Sequence, residues 1–154
     1  MRWDLEEKLE DALVSYLISQ SDGSVRIFAA WDRDERQYPC AVVHVAESGP
    51  VSEPAAWHDS RELMAQVAVM TEGADEVDSD ARTIRTARQR NADARSEIMN
   101  ALAIADLNAQ LVLQDVPDLA LSMAQVTTTQ RTVENQYLVT TINVECIVEP
   151  VTGS

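Results

Sequence analysis

The sequence predicts an α+β fold: a single domain over residues 1–150, with a largely antiparallel or mixed β-sheet and two main helices packed on one of its faces. Three observations predict it. Leucines recur at every fourth position near the N-terminus, several later segments alternate apolar and polar residues with period two, and the segments run helix, three strands, helix, two strands. Residues 151–154 are read as a flexible C-terminal tail.

The first helix spans Asp4 to about Gln20. Leu5, Leu9, Leu13 and Leu17, with Ala12 and Tyr16 beside them, make its inner stripe, while Glu6, Glu7, Glu10 and Asp11 fill the other side. Asp4 with Glu7 three residues on is a capping-box pair, and Ser21-Asp22-Gly23-Ser24 ends the helix. Val25 to Ala30 and Cys40 to Ala46 are apolar and β-prone, and Pro39 fixes where the second begins. A loop rich in Pro, Gly and Ser follows from Glu47 to Asp59. From Ser60 to Thr71 the chain alternates, with Leu63, Ala65, Val67 and Val69 on one side and Glu62, Met64, Gln66, Ala68 and Met70 on the other. That is long for a strand, so it is expected to bend or to project beyond its neighbours.

The stretch EGADEVDSD is too acidic to pack and leads into a helix expected from about Ser79 to Ile104. Its core stripe is Ile84, Ala87, Asn91, Ala94, Ile98, Ala101 and Leu102, and the acidic run before it favours the helix dipole. Leu107 to Leu113 adds a further turn or short helix. Pro117 restarts the chain, and Leu119 to Thr128 and Tyr137 to Val148 read as strands joined by a polar hairpin around Gln130 to Gln136.

Composition bounds the function. A chain of 154 residues with 45% apolar and 25% charged residues is an ordinary globular domain. At this size about 69% of the unfolded surface is buried on folding, enough for a core without disulfides or metal. Twelve basic against 26 acidic residues give a net charge of −14. Such a surface repels phosphate backbones, which points to protein partners. No apolar run is long enough to span a bilayer and no secretory signal is visible, so no membrane role and a cytoplasmic site of synthesis are expected. Cys40 and Cys146, each in an apolar strand, are read as free core thiols.

Candidate chemistry is sparse. His44 lies in CAVVHVAESG near Glu47 and Ser48, but flanking valines mark it as a packed or hydrogen-bonded structural residue. His58 and Asp59, beside Trp57, are too closely spaced to ligate one metal from a strand and lack a third ligand, so this loop is assigned to a subunit contact. Asp32, Asp34 and Glu35, like Asp75, Glu76, Asp78 and Asp80, form acidic runs without an ordered calcium-loop pattern. A Walker loop, a GxGxxG turn, a GxSxG elbow and an HExxH helix are all absent, so no enzyme activity and no cofactor are expected.

The basic residues are unevenly spread. Arg82, Arg85, Arg88, Arg90 and Arg95 form a cluster, the first three at spacing three. The cluster suits an acidic surface on a neighbouring copy, pairing with Asp78, Asp93 and Glu97 in its own helix, or a nucleic acid. Trp31 and Trp57 stand among polar residues, where large aromatics serve as core lids or interface anchors, and Trp3 is assigned to packing the first helix down. The candidate interface residues are therefore Trp31, Trp57, His58, Arg82, Arg85 and Arg88.

Taken together, the N-terminal amphipathic helix, the segment AAWDRDERQYPCAVVHVAESG, the long alternating strand, the central helix and the terminal hairpin resemble the tail terminator and tail-completion (neck) proteins of long-tailed bacteriophages. The resemblance covers most of residues 1–150 and includes no catalytic motif. It implies a virion structural protein, assembled in the host cytoplasm, that forms a hexameric ring ending tail-tube polymerisation. The implied partners are further copies of the chain, the tail tube protein and the head-tail connector or adaptor proteins. DNA would pass through the ring without sequence-specific binding. Six copies at −14 each carry −84, and a lumen of that sign would keep DNA from sticking.

The chain is somewhat longer than the simplest terminators, and EGADEVDSD looks like an elaboration, so a head-tail joining or adaptor protein of the same neck is the nearest alternative. Two other classes are weighed. An acidic protein-binding adaptor or inhibitor would bind a basic partner without forming a ring, and a small hydrolase would need His44 or His58 to converge with carboxylates.

Overall fold

In the computed structural model, residues 5–30, 37–50, 61–116 and 118–151 are described, with the backbone alone at 47–50. The elements are α1 (Leu5–Gln20), β1 (Arg26–Ala29), β2 (Cys40–Pro50), β3 (Arg61–Glu72), β4 (Glu76–Val77), β5 (Thr83–Arg85), α2 (Ala87–Leu102), α3 (Leu107–Gln110), β6 (Leu119–Glu134) and β7 (Tyr137–Pro150). Five strands form one sheet in the order β1-β2-β3-β7-β6, and β4 pairs with β5 separately. The β1–β2 pair is parallel and the other pairs are antiparallel. The chain is thus an α+β fold with a mixed, mainly antiparallel sheet and two main helices packed against it.

Period-two alternation decides which face is covered. Leu63, Ala65, Val67 and Val69 of β3 and Ile142, Val144, Cys146 and Val148 of β7 are completely buried on the helix side. Helix α1 lies over β1 and β2, α2 over β3 and β7, and the single turn α3 over the start of β6. Leu9, Leu13 and Leu17 from α1 and Ile98 and Leu102 from α2 meet this face in one apolar cluster. Glu10 departs from the outer side expected of it and is buried. At 100° per residue it stands about 20° from Leu17 and 60° from Leu13, so the helix period places it inward.

The helices are also fastened by polar contacts. The Tyr16 hydroxyl donates to the Ala101 carbonyl at 2.5 Å, tying α1 to the end of α2, and burial, with the charge of Asp106, raises the Tyr16 pKa. The Glu97 carboxylate accepts from the hydroxyls of Ser21 and Ser24 and the Asp22 amide, holding the turn after α1. Asn91 sits in the core stripe as the sequence predicts. Its Nδ2 donates to Thr71 Oγ1 at 3.0 Å and to the Leu138 carbonyl at 3.1 Å, and its Oδ1 accepts from Thr140 Oγ1 at 2.8 Å. Every polar atom of this buried group is used, so it fixes the register of α2 on β3 and β7.

Several boundaries move. Strand β2 runs on to Pro50, so the first four residues of the expected loop from Glu47 to Asp59 belong to it, with Glu47, Gly49 and Pro50 paired to β3 across a register shift at Ser48. β3 projects past β2 by Thr71 and Glu72 alone, whereas the longer β7 pairs with it from Arg61 to Glu72. Helix α2 begins at Ala87, not near Ser79. Thr86 caps it by accepting from the Gln89 amide while Gln89 Oε1 accepts from the Thr86 amide, and Asp75 Oδ1 takes the Ala87 amide. The preceding residues form β4 and β5, in which the Asp78 carboxylate accepts from the amides of Asp80 and Arg82. Ile84, expected in the helix core, is 56% exposed on β5. The terminal hairpin is also tighter than expected: β6 and β7 stay paired out to Glu134 and Tyr137, joined by Asn135 and Gln136, with Asn135 at φ 55°. Asparagine tolerates that left-handed turn position, which allows a two-residue connection.

Both cysteines are free and buried, as expected. Cys146 belongs to the helix-side cluster, whereas Cys40 alternates with Ala41 and Val43 and so faces the other side of the sheet. The sheet itself keeps the thiols apart. Burial, aided by the charge of Glu145, pushes the Cys146 pKa up to about 12, which leaves an unreactive thiol.

Candidate assembly surfaces

The sequence-predicted interface residues separate in the structure. Trp31, Trp57 and His58 lie outside the described residues, as do Trp3, Asp4, the Asp32–Glu35 acidic run and residues 152–154. The arginine stripe is not a helical one. Arg82 and Arg85 precede α2, and Arg85 pairs with Asp93, one of the intramolecular partners expected. Arg90 donates to the Ala74 carbonyl at 3.2 Å, so it braces the acidic turn before α2. Only Arg88 and Arg95 remain together, one above the other at i and i+7 on α2.

Those two arginines face a residue the cluster did not include. Arg131 lies opposite Thr140 on the helix side of the sheet, and Val133 lies opposite Leu138 two positions on. The wall of α2 and this part of the β6–β7 hairpin enclose a groove of about 820 Å³, lined by Arg88, Ala92, Arg95, Arg131, Val133 and Leu138 among others. Among the described residues, none of the three arginines has an ion-pair partner. The signal in the sequence was the alternation of β7 from Tyr137 onward, which requires a paired strand running through Arg131 and Val133.

The same hairpin supplies a free sheet edge. Among the described residues, strand β6 hydrogen-bonds only to β7 within the sheet, and from Thr127 to Glu134 every residue is exposed. The sequence TTTQR in this stretch is β-prone yet polar, a composition that keeps an edge from aggregating while leaving its backbone available.

The face of the five-stranded sheet turned away from the helices carries His44. It is half-buried and stands opposite Gln66, which is opposite Asn143, whose Nδ2 donates to Thr128 Oγ1 at 2.8 Å. Its other neighbours on this face are Val42, Ala46, Met64 and Ala68. Further along, Glu145 lies diagonal to Glu62. Loss of hydration, the hydrogen bond with Glu62 and the Glu62 charge together raise the Glu145 pKa. Among the described residues, no group of three or more His, Cys, Asp and Glu side chains is placed to hold a metal ion. No described helix is long and apolar enough to cross a membrane.

No family model matches the chain, and no curated protein does. A solved structure does match: a chain of the "Virion of native gene transfer agent (GTA) particle" superposes with a TM-score of 0.58. The match covers 92% of this chain and 94% of that one at 15% sequence identity. The two chains share a fold nearly end to end.

Proposed function

We propose that the protein is a virion structural protein that forms a ring at the head-proximal end of a phage-type tail, ending tube polymerisation and joining the tail to the head connector. The observation that carries this reading is the shared fold with a chain of a gene transfer agent virion, which takes in almost the full length of both chains. Two physical features support it. The sheet has two different edges, β1 and β6, and a chain with unlike surfaces on opposite flanks associates head to tail, the geometry that closes into rings. The net charge of −14 repeated around a ring gives a lumen that DNA traverses without binding. Trp31, Trp57 and His58, with Arg82, Arg85 and Arg88, are assigned to contacts with neighbouring subunits or the tube. A place one step nearer the head, as a head-tail adaptor, uses the same surfaces and is favoured by the acidic elaboration between β3 and α2.

Native mass by light scattering after size exclusion, across concentration and salt, tests the reading. A closed hexamer has six times 17.0 kDa, about 102 kDa, and imaging would reveal a ring. A chain that stays at 17.0 kDa even when mixed with purified tail tubes would overturn the ring. Stoichiometric capture of a basic protein by that monomer would point instead to an acidic adaptor or inhibitor.

A further inference from the structure

We infer that the groove between α2 and the β6–β7 hairpin receives the acidic β4–β5 hairpin of the next copy of this chain. The inference rests on the ring reading and specifies which two surfaces meet.

The groove is basic in an acidic protein. Arg88, Arg95 and Arg131 converge on it, while its floor is apolar, with Leu138 below and Val133 72% exposed at the rim. An occupant must therefore bring carboxylates together with apolar side chains. The β4–β5 hairpin brings both. Glu72 to Asp80 contains five carboxylates and no basic residue, and Val77 and Ile84 are 53% and 56% exposed. Two of those carboxylates, Asp75 and Asp78, are spent on backbone amides, which leaves Glu72, Glu76 and Asp80 turned outward. On the returning side Arg85 is already neutralised by Asp93, so against these five carboxylates Arg82 is the one basic side chain of the hairpin without an ion-pair partner among the described residues.

Position fits a rotational relation between copies. Both features lie at the same end of the sheet, where the Gly73 amide donates to the Gln136 carbonyl at 2.6 Å. They lie on opposite flanks of α2: Arg90 and Asp93 face the acidic hairpin, and Arg88 and Arg95 face the groove, about 140° to 160° around the helix. Copies related by rotation about a ring axis must meet through surfaces at one height and on opposite flanks. One copy cannot fill its own groove, because α2 stands between.

Disulfide trapping tests this directly. Val77→Cys and Val133→Cys each replace an exposed residue, and the native cysteines are buried. Mixing the two single variants under mild oxidation is expected to give a covalent dimer that neither gives alone, and the double variant a ladder ending at the closed ring. Arg88→Glu with Arg95→Glu is expected to raise the concentration needed for assembly roughly tenfold or more, and Glu76→Lys with Asp80→Lys in the partner copy to restore part of the loss. A ring of unchanged mass with no trapped dimer would overturn this pairing and leave the ring standing. Absence of both the ring and the trapped dimer would overturn the two readings together.

Discussion

Two halves of the same strand pair are held by different forces. Where β7 passes under α2, Ile142, Val144, Cys146 and Val148 are completely buried, and β6 contributes Leu121 and Ala124 to the same cluster. Beyond Val126 the ladder resumes after a one-residue register shift and stays paired from Thr128 to Glu134, yet residues Thr127 to Glu134 of β6 face solvent on both sides. The near half stands on hydrophobic burial. The far half stands on backbone hydrogen bonds and a tight turn, and a two-stranded ribbon of that kind is marginal by itself. A segment that folding does not need to cover is open to a partner, and it carries Arg131, Val133 and the free edge.

Replacing groups along this contrast should give effects that fall from the covered half outward. Ile98→Ala, which empties a site on α2 above the sheet, is expected to lower stability by about 3 kcal/mol in urea unfolding, within the range for buried large-to-small changes. A loss below about 1 kcal/mol would mean that α2 is not what holds the near half. Asn91→Ala is expected to cost about 2 kcal/mol, because the buried hydroxyls of Thr71 and Thr140 lose their partner. A double-mutant cycle with Thr140→Val should show coupling between the two sites, and additive losses would contradict the network.

Gly73→Ala probes the seam between the halves. A Cβ there would lie 2.7 Å from the Gln136 carbonyl oxygen, so the strand end must shift, at a cost of about 1–2 kcal/mol. Amide exchange should accelerate around Gln136 more than around Ile142. At the far half, Val133→Thr is expected to change stability by less than about 0.5 kcal/mol while weakening assembly, and a large stability loss would erase the distinction drawn between the halves.

The smallest effect concerns the uncovered face. Glu145 titrates above its ordinary value, so the folded chain holds a proton there that the unfolded chain has released. Its contribution is therefore present below the unfolded pKa and declines as pH rises through the folded one. Glu62→Gln removes the neighbouring charge and should move the Glu145 titration, followed by NMR, downward. An unmoved titration would leave loss of hydration as its whole cause.

Much of this fold was legible because hydrophobic periodicity is local. The leucine repeat of α1, the buried sides of β3 and β7 and the Ala87, Asn91, Ala94, Ile98 and Leu102 stripe all follow from spacing along the chain. The start of α2 was misplaced although Thr86 and Gln89 carry a capping-box signature, because the apolar Ile84 and the arginine spacing extended the helical pattern past it. The outer parts of β6 lack alternation altogether, since polar residues occupy both faces, and only pairing with β7 makes them strand.

The sequence by itself determined the fold class, the net acidic charge and the absence of a common catalytic motif, since each depends on composition or short-range order. Tertiary structure alone decided which arginines act together. Arg85 and Arg90 are consumed within the chain, whereas Arg88 and Arg95 meet Arg131, distant in sequence, because α2 packs beside the hairpin. Charge is a property of residues, but an electrostatic site is a property of distances, and those are set by how the helix and the sheet bury their apolar faces.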